Sequence, residues 1–349
     1  MNQPLFRIGN WLKFTRSPKI ISNRTLRLSE RVVEQWSHQG LPQRGAQFQY
    51  SDLAIETMLT IKKVCGLPLR QTEGLMGSIA KLTGLELQIP DYSTLSRRQK
   101  SLSVSLPRTR RGESLHLVVD STGLKVHGDG EWKARQHGVS KRRTWRKLHL
   151  AVDEATGMIE ADALTPNSAD DDGEAGALLE ETDSPLDTFG GDGAYDKRKV
   201  YALLRKRALK QGRAIQVNIP PRRDAKPSGT PAPDNPLLLR DRNLQRIGQV
   251  GRKQWKVESH YHRRSLAETA MFRFKTILGP NLAARTIERQ KTEAAIGCLI
   301  LNTFTQLGMP QSYKVVHNQR GKGAAVSTRF HVTKPFRSTS NKTCLMTSN

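Results

Sequence analysis

Cysteine is scarce and scattered. Cys65, Cys298 and Cys344 are the only three in 349 residues, and no two form a CxxC pair. That excludes a disulfide framework and a zinc site built on cysteine pairs, and argues for a reducing compartment. Long hydrophobic runs are also missing. The longest are too short to cross a bilayer, and the N-terminus lacks the uninterrupted apolar stretch of a secretory signal. These absences point to a cytoplasmic protein with no membrane partner. Hydrophobic residues are 36% of the chain, enough for a core. Acids are outnumbered, 32 Asp+Glu against 57 Lys+Arg, for a formal net charge of +25. Such an excess implies a polyanionic partner, with nucleic acid the first candidate; a merely soluble basic protein is the bland alternative.

The basic residues have a gap of their own. Between Leu148 and Asp196 there is no Lys or Arg, and the stretch carries fourteen acids. A solvated loop and an acid-rich first helical turn account for Asp170 to Glu174. They do not account for Asp192, which follows an apolar segment.

Residues 1 to about 112 read as helical. Ser29 can cap a helix over Glu30–Ser37, and Tyr50-Ser51-Asp52 opens a second with Leu53, Ile55, Met58, Leu59 and Ile61 as its apolar face. A third runs from about Leu69 to Leu82. A fourth follows Pro90-Asp91, from Tyr92 to about Ser103, carrying Arg97, Arg98 and Lys100. A helix, a turn and a basic helix resemble a helix-turn-helix, though basic faces are often only solvated. Pro107 with Arg108, Arg110 and Arg111 reads as a linker.

The pattern changes after residue 113. Leu115, Leu117 and Val119 lead as a strand to Asp120, which is expected to end it. Trp145–Val152 alternates as a second strand, Asp153-Glu-Ala-Thr-Gly157 is a hairpin turn, and Met158–Leu164 is a third strand. A helix over Glu174–Glu181, a strand Leu186–Gly190, a helix Arg198–Leu209 and a strand Ala214–Ile219 follow. Residues 220–236 hold six prolines and read as an exposed loop. Helices continue to about Leu307, and residues 317–349 form a polar, aperiodic, basic tail expected to be disordered. This is the element order of a ribonuclease H-like mixed sheet flanked by helices, preceded by an all-α region. The expected divisions are 1–112 with the helix-turn-helix-like pattern, 113–316 with the sheet, and the tail.

Phosphodiester chemistry needs a divalent cation held by a few carboxylates that converge from rigid elements. Asp120 and Asp192 stand at the ends of strands that neighbour each other in such a sheet. For each, the plainer reading is a turn-capping Asp. Asp153 competes but lies in an ordinary hairpin. If Ser259–Gly279 is one helix, Tyr261, Arg264, Glu268 and Lys275 fall on one face. Ala267, Ala270, Phe274, Ile277 and Leu278 fall broadly opposite. A solvated face with an Arg264–Glu268 i,i+4 pair explains that pattern as well.

Tyr261-x2-Arg264-x3-Glu268-x6-Lys275 resembles the Y-x2-R-x3-E-x6-K signature of DDE-type insertion-sequence transposases. Tyr50–Thr57, Gly66–Glu73, Pro90–Arg98, Val119–Val126, Trp145–His149 and Leu301–Pro310 look like the insertion-sequence-five family in particular. The likeness spans about residues 5 to 316. It implies a transposase that cuts at the terminal inverted repeats of its element and joins the 3′-hydroxyl ends to target DNA. Asp120, Asp192 and Glu268 would be the catalytic carboxylates holding two Mg²⁺ ions, with Mn²⁺ as a substitute. Tyr261, Arg264 and Lys275 would be accessory, the two cations facing DNA. The substrate would be double-stranded DNA rather than a small molecule, with self-association on it. A stand-alone nuclease on the same fold and a non-catalytic repressor derived from a transposase are the rivals. The repressor has no need of three intact carboxylates.

Overall fold

The computed structural model describes residues 6–8, 30–40, 48–107, 114–126, 145–169, 171–182, 184–229, 235–307 and 312–314. The chain divides into two units. The smaller combines Met1–Leu26 with Gln306–Asn349. In it β1 (Phe6–Ile8) pairs antiparallel with β8 (Ser312–Lys314), so the expectation of helix throughout 1–112 fails there. The tail 317–349 lies outside the described residues, as does Ser29.

The larger unit, Arg27–Thr305, holds the remaining elements. Its helices are α1 (Glu30–Glu34), α2 (Asp52–Cys65), α3 (Leu69–Thr83), α4 (Tyr92–Arg98), α5 (Asp171–Glu181), α6 (Arg198–Gln211), α7 (Leu238–Glu258), α8 (Ser265–Leu278) and α9 (Ile287–Gln306). Its strands are β2 (Leu115–Val126), β3 (Trp145–Asp153), β4 (Ile159–Pro166), β5 (Leu186–Gly190), β6 (Gln216–Asn218) and β7 (Asn281–Leu282). The strand order is β4-β3-β2-β5-β6, with β7 added on β2. β2, β3 and β4 form an antiparallel meander, while β5, β6 and β7 run parallel to their neighbours. It is a mixed sheet flanked by helices.

Alternation along β2 sorts its side chains onto two faces. Leu115, Leu117 and Val119 pack with Leu178 and Leu179 of α5 and with Val200, Tyr201 and Leu204 of α6. Val118 and Leu124 face the other way. There they join Leu148, Leu150 and Val152 of β3, Ala267, Ala270, Met271 and Phe274 of α8, and Cys298 and Leu301 of α9. Asp120 has the parity of Val118 and belongs to the α8 face. Helix α9 serves two cores. Its Ile296 and Ile300 pack with Trp36 and with Ile55, Met58, Met76 and Leu95 of the preceding helices.

Most elements follow local chemistry. Ser51 caps α2 by accepting from Ala54 N, and Asp91 caps α4 by accepting from Ser93 and Thr94 N. The Asp153 hairpin forms as its sequence predicts, with Asp153 taking N–H bonds from Thr156 and His116.

Five expectations need correction. α1 stops at Glu34 and α4 at Arg98, both shorter than their sequence patterns suggested. Asp120 does not end its strand. β2 continues to Val126 because β3 pairs with it antiparallel as far as Lys125. Only the parallel partner stops early, at Val118↔Gly190. The expected helix Ser259–Gly279 is broken. His260 takes a left-handed conformation (φ 53°, ψ 28°), a short 3-10 turn covers Tyr261–Arg264, and α8 starts at Ser265. Tyr261 and Arg264 therefore share a turn rather than a helical face with Glu268. Finally, Ile277 is 41% exposed, and Met271 takes its expected place in the core.

Candidate functional site

Asp120 sits on β2 two residues beyond the last pair with β5, where the β2–β5 pairing stops. Burial raises its pKa. The charges of Asp192 and Glu268 raise it further, against the lowering effects of the Ser121 N–H and Arg264. Its Oδ1 accepts from Ser121 N at 2.8 Å. Asp192 lies two residues past the end of β5, as the N-cap of the 3-10 turn Gly193–Tyr195, and accepts from Ala194 N at 2.9 Å. An added Cβ at Gly191 would meet the Tyr195 ring at 3.0 Å, so the glycine lets that ring fold back against the strand end.

Glu268 projects from the first turn of α8, beside the buried face that carries Ala267, Ala270, Met271 and Phe274. Its carboxylate takes the Arg264 guanidinium at 2.8 Å, and the other end of that guanidinium lies 3.9 Å from Asp120 Oδ2. One cation thus stands between two of the carboxylates. The Tyr261 ring lies 5.5 Å from the Arg264 guanidinium and 5.0 Å from Lys256 Nζ. Burial raises the Tyr261 hydroxyl pKa, and all three carboxylates add to that against Arg264. Asp120, Asp192, Glu268, Tyr261 and Arg264 are therefore one electrostatic neighbourhood. Lys275, two turns along α8, is partly buried and makes no ion pair among the described residues.

The neighbouring acids differ in kind. Asp196, four residues after Asp192, is buried and fully committed to Arg240, Tyr201 OH and the Arg222 N–H. Asp192 has no such partners among the described residues. Asp153 is likewise spent inside its hairpin.

The three carboxylates present only oxygen, the donor set of a hard divalent cation. As they stand, no three His, Cys, Asp or Glu side chains among the described residues are close enough to hold a metal ion together. Glu268 is turned onto Arg264, with half of its side chain exposed and able to rotate. Asp120 and Glu268 share the Arg264 cation while the charge of Asp192 acts on Asp120 unpaired, and the donor set fits a divalent ion on that account.

Arg97 and Lys100 are exposed at the end of α4. Arg98 is not. It is buried, bound to Asp52 and donating to Tyr50 O at 2.9 Å. Sequence reading missed a second cluster beside the carboxylates: His116, Glu154, His260 and Arg263. Glu154 is in the hairpin read as an ordinary turn, and only its adjacency to a buried Asp hinted otherwise.

A meander extended by parallel strands, covered on both faces and carrying clustered acids where parallel pairing stops, defines a mixed-sheet α/β protein with an acidic centre. Residues 111–303 match the family described as Transposase DDE domain, and residues 22–129 match another family of the same description. The chain belongs to the DDE transposases. Among the described residues no helix is long and apolar enough to cross a membrane.

Proposed function

We propose that this transposase, of the insertion-sequence-five type, cuts phosphodiester bonds at the terminal inverted repeats of its element. It then transfers the freed 3′-hydroxyl ends to target DNA. The carrying observation is the shared neighbourhood of Asp120, Asp192 and Glu268 around Arg264 on the α8 side of the sheet. Those carboxylates would hold two Mg²⁺ ions, with Mn²⁺ as a substitute. Bound there, such ions lower the pKa of an attacking water or 3′-hydroxyl and stabilise the leaving oxygen.

The chain's own residues do the rest. Asp120 lies within β2 and Asp192 just past the end of the neighbouring β5, so their separation is set by the sheet. Glu268 comes from a helix anchored by four buried side chains and can swing between Arg264 and the site. Arg264, once released from Glu268, is free to take a DNA phosphate, as is Lys275. Tyr261 backs Arg264. The sheet in the larger unit is the ribonuclease H-like part of residues 113–316, and α3 with α4 is the helix-turn-helix of residues 1–112. There Arg97 and Lys100 would meet phosphate, while Arg98 holds the α4 end to α2. Self-association would bring two ends together, and the basic excess makes binding salt-sensitive. We place the protein in the bacterial cytoplasm, on the nucleoid.

The test is incubation of the protein with the DNA that flanks its own gene plus Mg²⁺, mapping the ends cut and the strands joined. Cleavage without joining favours a plain nuclease. Binding without cleavage favours a repressor.

A further inference from the structure

Arg263 and Arg264 are consecutive, yet they reach different carboxylates. Arg264 reaches Asp120 and Glu268. Arg263 Nε lies 3.6 Å from Glu154 Oε1, in the β3–β4 hairpin. Glu154 is not an ordinary surface acid. Its side chain is 14% exposed, against 58% for Arg263. Burial raises its pKa, while the charges of Arg263, His116 and His260 oppose that and Asp153 adds to it. Its N–H donates to His116 O at 2.8 Å, which fixes it to β2 four residues before Asp120. The turn Tyr261–Arg264 packs on β2. Its last two residues thus reach Glu154 and Asp120.

The turn begins at His260, the one non-glycine residue with positive φ among the described residues. A left-handed residue with a Cβ is disfavoured and persists only where its surroundings hold it. The turn has little of its own to do so. His260 makes no side-chain cap; Arg263 N donates to His260 O at 2.9 Å, and the Ser265 N–H donates to the Arg263 and His262 carbonyls.

We propose that Glu154 is a positioning residue for strand cleavage. By pairing with Arg263, and with His116 and His260 near its own carboxylate, it fixes the left-handed turn that aims Tyr261 and Arg264 at Asp120, Asp192 and Glu268. This rests on the reading of those three carboxylates as the cleavage site.

The test uses full-length protein carrying Glu154→Gln, His260→Gly, or both. In metal-free, DNA-free protein, the backbone amides of 259–264 should exchange with solvent about tenfold faster in Glu154→Gln. Cleavage of a linear duplex carrying the gene-flanking DNA should slow roughly tenfold to a hundredfold at unchanged duplex affinity. The melting temperature should stay within about 2 °C. Glycine adopts the left-handed conformation without penalty, so His260→Gly should recover most of the lost rate in the double variant. Unchanged exchange in Glu154→Gln overturns the inference, as does a rate loss that His260→Gly leaves unrescued. Should Glu154→Gln not fold, Arg263→Gln removes the same pair from its exposed side, with the same expectations and the same refutations. Asp120→Asn is run in parallel. If it cleaves like wild type, the site reading fails; if it is inactive while Glu154→Gln is unimpaired, only the present inference fails.

Discussion

Gly297 lies in the interior of α9, where the helix crosses α8. Glycine in a helix interior costs about 1 kcal/mol relative to alanine, so an unobstructed Gly297→Ala would stabilise the protein by that amount. The packing predicts the opposite. A Cβ at Gly297 would lie 2.7 Å from Phe274 Cζ, closer still to Cε2, and 3.3 Å from Leu278 Cδ1. The Phe274 ring is fully buried among Val118, Leu124, Leu150 and Met271, so it has no free space to swing into. Overpacking of this kind costs about 1–3 kcal/mol, which leaves a net destabilisation of up to about 2 kcal/mol after the helix gain. Urea unfolding of Gly297→Ala measures it. In a Phe274→Leu background the methyl has room, and the same substitution should be neutral or stabilising. The double-mutant cycle should then give a coupling of about 1–2 kcal/mol. A Gly297→Ala protein more stable than wild type, or a cycle with no coupling, refutes the α8–α9 packing that sets the position of Glu268.

Other substitutions read other parts of the structure. Lys63→Met should cost about 3–5 kcal/mol in chemical unfolding, because it strips the 2.9 Å ion pair from the buried Glu293 carboxylate that also takes the Ala283 and Ala284 N–H groups. Burial, then Glu181, pushes the Asp162 pKa up to about 7, so its stabilising protonated form is lost as pH rises from about 4 through 7. Asp162→Asn should flatten that dependence and be more stable than wild type above pH 8 by about 2–4 kcal/mol, and an unchanged pH profile would contradict this. Arg98→Ala should lower the melting temperature, whereas Arg97→Ala and Lys100→Ala should leave stability within about 0.5 kcal/mol and weaken DNA binding; the reverse pattern would place Arg98 on DNA.

Much of this was readable in the sequence where the signal is local. The β2–β4 meander shows as alternation closed by Asp-Glu-Ala-Thr-Gly, and α2 and α4 carry their own caps at Ser51 and Asp91. What escaped depends on partners distant in sequence. β2 outruns Asp120 because β3 pairs with it, which no run of β2 residues announces. β7 is two residues long and exists only as an addition to the end of β2. The break at His260 is invisible to helical periodicity, since Tyr261, Arg264 and Glu268 keep the right spacing across it. For the candidate site, Asp120 and Asp192 were chosen as strand ends and Glu268 from a signature, and Asp120 proves to lie within its strand. Arg98 was grouped with two surface cations, although its guanidinium is used inside the fold. Glu154 and Arg263 were missed, because nothing in a hairpin sequence indicates what packs above it.

The central claim is that Asp120, Asp192 and Glu268 act together on a phosphodiester bond. The direct measurement is single-turnover cleavage of gene-flanking duplex DNA in Mg²⁺ by Asp120→Asn, Asp192→Asn and Glu268→Gln, with duplex affinity measured alongside. Each substitution removes a ligand charge at nearly constant shape. The expected result is loss of cleavage in all three with binding largely intact. Wild-type cleavage by any one of them would remove that residue from the site and contradict the account.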